Sequence, residues 1–163
     1  MNNVNTSFEY NPRCLVRDLN PFFTQNYNTY TNLTTTLLDN IYIADFQNIL
    51  QGYDSDTNKF GVHGGGHWQG GGSMADFHSS PSDPLFFLHH GMIDQVWLVW
   101  QYLDIDRRQS VISGTSTLGN SPPSAEMTLS DMIPFGFVAE DQRFGDVMDT
   151  FSGMFCYRYD VTP

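Results

Sequence analysis

Three histidines carry the chemistry that this sequence offers first. His63 and His67 sit in Val62-His63-Gly64-Gly65-Gly66-His67, and His90 sits in Pro81-Ser82-Asp83-Pro84-Leu85-Phe86-Phe87-Leu88-His89-His90-Gly91-Met92-Ile93-Asp94. Residues four apart share one face of a helix, so the first two imidazoles stack on a single face, and the third arrives on a second helix that opens at Asp83-Pro84. Three neutral imidazoles with no thiolate or paired carboxylate suit copper or zinc better than a hard cation. Imidazoles coordinate only when neutral, so affinity is expected to fall as the pH drops through about 6.5. Asp94 lies one helical turn after His90, where a carboxylate can accept a hydrogen bond from a ligating imidazole and fix its orientation; an exposed helical acid would give the same pattern.

The elements that must position these groups follow from periodicity. Residues 1 to 32, rich in Asn, Thr, Tyr and Pro, read as an irregular approach segment. Thr36-Leu37-Leu38-Asp39 has the form of a capping box, and the apolar spacing from Leu37 to Leu50 predicts one helix over about 36 to 50, ended by Gly52. A polar loop from Tyr53 to Lys59 leads to the His63 and His67 segment, where three consecutive glycines each cost a helix about 1 kcal/mol relative to alanine. Such a segment needs support from outside, which a metal clamping i and i+4 would supply, and the missing side chains leave room for another helix to come close. Trp68 to Ser80 reads as a glycine-rich connection. Asp83 as cap, Pro84 at the first position and a stripe of Leu88, His90, Ile93, Val96, Trp97, Trp100 and Leu103 predict the strongest helix of the chain, running to about Leu103. Ser110 to Ser124 is a loop. The tail is expected to hold a short helical stretch near Leu129 to Ile133 and a strand at Met154 to Tyr159. The expected class is mainly α with loop-rich flanks, in a single domain over 1–163.

Composition excludes several partners. The chain has 163 residues, 40% hydrophobic and 15% aromatic, enough for a core, and a net charge of -11. With so acidic a balance and no basic cluster, nucleic acid and anionic membrane surfaces are disfavoured, and a neutral small molecule fits better. No apolar run approaches the roughly 20 residues that cross a bilayer. Met1 to Tyr10 lacks the basic start and apolar stretch of a signal peptide, while Asn5-Thr6-Ser7 and Asn32-Leu33-Thr34 would be glycosylation acceptors if the chain were secreted. Localisation is therefore open. Cys14 and Cys156 lie near opposite ends, and a disulfide tying the termini or two free buried thiols fit equally.

The stretch from His63 to Gln101 closely resembles the second copper-binding half of the tyrosinase and catechol oxidase family, the type 3 copper proteins. Gly71-Gly72, Met74, Ser80-Pro81-Ser82-Asp83-Pro84, Phe86, His89-His90, Asp94 and Trp97 stand where that pattern wants them. Asn11-Pro12-Arg13-Cys14-Leu15-Val16-Arg17-Asp18 and Cys156-Tyr157-Arg158-Tyr159 are similar to short fungal members, the latter to the Tyr-x-Tyr motif that closes the family's catalytic domain. The resemblance implies part of a helical-bundle oxidase core in which two coppers, each held by three histidines, use dioxygen to oxidise o-diphenols, phenols or aminophenols to o-quinones. It implies His63, His67 and His90 as ligands of one copper, Asp94 beside them, and a substrate pocket lined by His89, Phe77 and Gly64. A core aromatic is the plain alternative for Phe77.

Two departures matter. The family's first copper half is absent, and after three ligands only His78 and His89 remain, so one chain cannot supply six histidines. The chain is then a fragment of a two-copper enzyme whose missing first-copper half is its partner, or a mononuclear or inactive remnant; an oxygen carrier like the haemocyanins, which share this copper site, is the further alternative. Second, members that hydroxylate monophenols often carry Asn directly after the first histidine, where this chain has Gly64. Asp54 or Asp56 could place a carboxylate near the water that such an Asn serves.

Overall fold

In a computed structural model the described residues are 12–52 and 59–160. They are mainly helical: α1 Pro21–Asn26, α2 Tyr30–Asp39, α3 Ile43–Gln51, α4 Val62–Gly70, α5 Gly72–Ala75, α6 Pro84–Tyr102 and α7 Ile105–Arg108, followed by a two-stranded antiparallel ribbon, β1 Met132–Ile133 with β2 Gln142–Arg143. The Asn5 sequon and Asp54 and Asp56 lie outside the described residues.

The long helix forms as its sequence predicts. Asp83 is the N-cap, its Oδ1 accepting the Leu85 N–H at 2.8 Å, with Pro84 at the first position. Asp83 is also fully buried and clamped by Arg17, whose Nε and Nη2 donate to its two oxygens at 2.9 and 2.6 Å. These bonds hold the carboxyl below the usual range against the opposing effect of burial. The approach segment is thereby tied to the start of α6. It continues in extended form along α4 and α5, with the Val16 carbonyl accepting the Ser73 N–H at 2.7 Å and the Asp18 N–H donating to Gly70 at 3.1 Å. Gly71 and Gly72 both have positive φ, 57° and 49°, and a Cβ on either would lie 2.2 Å from an Asp18 or Val16 carbonyl oxygen, so the pair permits both the turn and the close crossing.

Where the elements differ from the sequence reading, the causes are local. The expected irregular 1 to 32 segment contains α1 and the start of α2, because Asn20 and Thr29 act as side-chain caps, accepting from Phe22 and Asn32 backbone N–H groups. The single helix expected over 36 to 50 is two. Thr36 is no cap; its hydroxyl donates back to the Asn32 carbonyl inside α2, and the chain breaks at Asn40, whose carbonyl accepts the Trp100 Nε1–H at 2.6 Å. In the tail, Asp131 Oδ2 accepts both the N–H and hydroxyl of Thr128, closing a turn where a helical stretch was expected and delivering Met132 to the ribbon. Met154 to Tyr159 is turn and extended chain with no strand partner among the described residues. Cys14 and Cys156 are free and exposed, neither bridged nor buried. The Asn32 amide donates to the Asn26 and Tyr27 carbonyls from within α2, and a glycan replacing one amide hydrogen would remove at least one of these bonds.

Phe46, Leu50, Val96 and Trp100 form the core between α3 and α6, with Leu33, Leu37 and Val62 packed around them. The Phe46 and Trp100 rings stack at 4.6 Å between centroids, and the Arg108 guanidinium lies over the indole, 4.7 Å from its centroid. Among the described residues no helix is long and apolar enough to cross a membrane.

Candidate metal centre

α4 presents His63 and His67 on one face, and α6 brings His90 to them. One ligand atom from each lies within 4.8 Å of the others. His67 Nε2 is 3.2 Å from both His63 Nε2 and His90 Nε2. Nitrogens bound about 2.0 Å from one ion at near-tetrahedral angles lie about 3.3 Å apart, close to the spacing that His67 Nε2 has to both His63 Nε2 and His90 Nε2. His67 Nδ1 meets the Met74 carbonyl at 2.9 Å. A carbonyl only accepts, so the ring proton sits on Nδ1 and the Nε2 lone pair points to the centre. Phe86, one turn before His90, stacks on its ring at 4.0 Å and 30° and restrains its rotation. Nitrogen donors without thiolate or carboxylate fit copper.

The surroundings of His63 and His90 favour their neutral forms. Burial, then the neighbouring His67, His89 and His90, pushes His63 down to about 3, and burial with His67 also lowers His90. Proton competition at His63 therefore begins below the 6.5 of a free imidazole. Burial likewise lowers His89 to about 4, although its hydrogen bond to His63 works the other way. In the metal-free chain these shifts have a definite sign. The unfolded histidines take up protons from pH 6.5 downward while folded His63 and His89 do not, so their contribution to stability is complete above 6.5 and is lost as the pH falls towards 4 and 3. The urea midpoint of metal-free protein is expected to fall between pH 7 and 5, even though net charge -11 is partly neutralised over that range; an unchanged or higher midpoint would contradict it.

The other sequence-derived residues are placed differently from one another. His89 packs against α4, its Nε2 donating to the His63 carbonyl at 2.9 Å and its ring parallel to His63 at 5.5 Å. It also lines two cavities of about 260 and 180 Å³, with Leu88 and Leu19 in one and Met92 and Tyr30 in the other. A larger cavity of about 640 Å³, between α1, α2 and α3, has no histidine in its wall. Gly64 faces the end of α3: a Cβ there would lie 3.1 Å from the Gln51 carbonyl oxygen and 3.3 Å from Phe60. Phe77 is 80% exposed and meets the edge of His78 at 5.3 Å; it is not a core aromatic. Asp94 accepts from the hydroxyls of Tyr157 and Tyr159, the latter at 2.6 Å, and no imidazole bonds to it among the described residues. Burial and Asp94 push the Tyr157 hydroxyl up to about 12. The carbonyl that orients an imidazole is Met74's, which no side-chain pattern could reveal, whereas Phe86 was legible as the i−4 neighbour of His90.

The glycines of α4 explain how α6 comes so near. A Cβ on Gly66 would sit 2.1 Å from His89 Cε1. Gly66→Ala is expected to destabilise the fold by about 1–3 kcal/mol, as overpacking does. On α6 the reverse holds at Gly91, where a Cβ meets nothing within 4 Å, and alanine is expected to stabilise by up to about 1 kcal/mol. Denaturant midpoints of the two variants test the contrast, and equal shifts would remove it.

Residues 1–103 match the family model for the common central domain of tyrosinase. The chain belongs to the tyrosinase family. Among its relatives, Tyrosinase P of Aspergillus terreus is 41% identical over 153 residues, covering 94% of this chain and 43% of that protein. N-acetyl-6-hydroxytryptophan oxidase ivoB of Emericella nidulans is 39% identical over 161 residues, 94% of this chain and 44% of that one. The structure of a mutant polyphenol oxidase from Thermothelomyces thermophila superimposes with a TM-score of 0.84 at 36% identity, covering 92% of this chain and 42% of that chain. This tyrosinase-family chain thus spans less than half the length of these relatives, and its helical architecture is that of the corresponding part of the polyphenol oxidase.

Proposed function

We propose that His63, His67 and His90 hold one copper of a type 3 copper oxidase that converts o-diphenols to o-quinones with dioxygen. The observation that carries this reading is the convergence of three imidazole nitrogens, with the His67 lone pair aimed inward by the Met74 carbonyl. Copper there supplies the redox change that couples removal of two electrons and two protons from each diphenol to reduction of dioxygen to water. The chain's own residues orient the donors: Phe86 restrains the His90 ring, and His89 fixes the His63 backbone. With five histidines in all, the second copper's ligands come from a first-copper half outside residues 1–163, which is the partner this reading requires. The oxidase named for Emericella nidulans acts on N-acetyl-6-hydroxytryptophan, which supports a hydroxylated aromatic as the substrate class.

A mononuclear site is the second reading, favoured by the same histidine count. Copper titration of the purified chain, followed by elemental analysis, is expected to give close to one copper per chain under either reading; no copper retained would remove both. Gly64 bears on the substrate. Without a side chain it cannot position a water to deprotonate a monophenol, so a complete protein containing this half is expected to favour diphenols strongly. Gly64→Asn is expected to narrow that preference by roughly 10²-fold, the scale of a positioned general base, provided the Gln51 carbonyl at 3.1 Å and Phe60 at 3.3 Å from the new Cβ yield a few tenths of an ångström. Initial rates on a monophenol and its matching diphenol check this, and comparable rates in the unmodified protein would refute it.

A further inference from the structure

The side of α4 turned away from the metal centre is held by a residue outside the ligand set. Gly65 lies about 180° round the helix from the midpoint of His63 and His67. Asn28, in the turn between α1 and α2, packs against it: a Cβ on Gly65 would lie 2.6 Å from the Asn28 side-chain amide and 2.9 Å from Tyr27 Cβ. Partners decide which end of an amide is the nitrogen. One end of the Asn28 amide lies 3.1 Å from the Val62 carbonyl, which only accepts, and the other 3.2 Å from the Gly66 N–H, which only donates. Nδ2 therefore donates to Val62 and Oδ1 accepts from Gly66, with the end of the Gln69 side chain 2.8 Å from the same oxygen.

Val62 and Gly66 stand at i and i+4, the two ends of one helical rung, and each is followed directly by a histidine of the metal centre. Three glycines in a row give that turn little helix propensity of its own, so an amide spanning the rung supplies support that the local sequence lacks. The turn that carries Asn28 is itself fixed. Its N–H donates to the Phe23 carbonyl at 3.1 Å, and the Tyr27 carbonyl accepts from the Asn32 amide at 3.0 Å.

We propose that Asn28 is a positioning residue of the metal centre: its amide grips the Val62 carbonyl and the Gly66 N–H and so sets the spacing of His63 and His67 in the metal-free chain. It acts through the backbone of α4 and contributes none of the three donor nitrogens. The proposal rests on reading His63, His67 and His90 as ligands. Without the grip, metal binding has to order the glycine turn as well as fill the site, and affinity falls by that coupling.

Hydrogen exchange of the metal-free 163-residue chain, with copper titration and the paramagnetic resonance spectrum of bound cupric ion, tests the proposal. Asn28→Ala is expected to speed exchange in α4 at least tenfold while exchange in α6 stays within about twofold, and copper loading is expected to restore most of the lost protection. Copper affinity is expected to fall about 10-fold, the low end of the range for groups that orient ligands, and the resonance spectrum to broaden into more than one species. Asn28→Asp has the same shape but turns a carboxylate oxygen towards the Val62 carbonyl. It is expected to raise exchange in α4 and weaken copper binding in the same direction, although its added negative charge would by itself attract the cation. Thr29→Ala removes the neighbouring cap of α2 and is expected to leave copper affinity within about twofold and the spectrum unchanged. Equal acceleration in α4 and α6, an unchanged affinity in Asn28→Ala, or an equal loss in Thr29→Ala would overturn the positioning role while the ligand reading stands. A wild-type chain that retains no copper would overturn the ligand reading itself, and the positioning role with it.

Discussion

Replacing any one of His63, His67 or His90 by alanine is expected to weaken copper binding by at least about 100-fold, while His78→Ala leaves it within about twofold. Loss of a group that merely orients a ligand costs 10–100-fold in metal affinity, and removal of a ligand itself exceeds that. His78 provides the control because it is exposed beside Phe77 and is not one of the three converged donors. His89→Ala is expected to fall between the two: its ring supports the His63 carbonyl and supplies none of the three nitrogens. Isothermal titration with cupric ion at pH 7 provides the affinities. Equal losses from His78→Ala and His90→Ala would remove the ligand assignment, and an intact fold in each variant is verified by circular dichroism.

The isolated chain, fully loaded with one copper, is expected to turn over catechol no faster than an equal concentration of free copper, because the proposed oxidase requires a second copper whose ligands residues 1–163 do not supply. A polypeptide of relative-like length that adds three further histidines is expected to restore turnover, with a gain of several orders of magnitude of the kind that separates enzymes from uncatalysed reactions. Oxygen uptake and quinone absorbance measure it directly. Copper-dependent catechol oxidation well above free copper by the monomeric 163-residue chain would overturn the requirement for a second copper-binding half and leave a mononuclear catalyst.

Much of the site was legible before any fold was known, because its information is local. The i, i+4 spacing of His63 and His67 and the Asp83-Pro84 helix start are short-range signals, and both elements form where those signals place them. The glycine run between the two histidines likewise announced a close approach, and the His89 ring fills the space that a Cβ on Gly66 would need.

What the sequence could not decide depends on partners distant along the chain. Thr36 reads as a helix cap and Asn40 as helix interior until the fold shows Thr36 bonded back to Asn32 inside α2 and the Trp100 indole, 60 residues on, taking the Asn40 carbonyl where the predicted helix splits in two. Asp94 reads as an imidazole's acceptor until two tail tyrosines claim its carboxylate from 63 and 65 residues away. Local pattern alone determined that His63 and His67 share one helix face and that a long helix carries His90, since helical periodicity and capping act within a turn or two; bringing His90 to the other two is the work of the packed fold. Tertiary structure alone decided which carbonyl orients His67 and where Asp94 bonds. Hydrogen-bond and packing partners are set by which segments the whole fold brings within about 3–4 Å, and sequence distance carries no record of that.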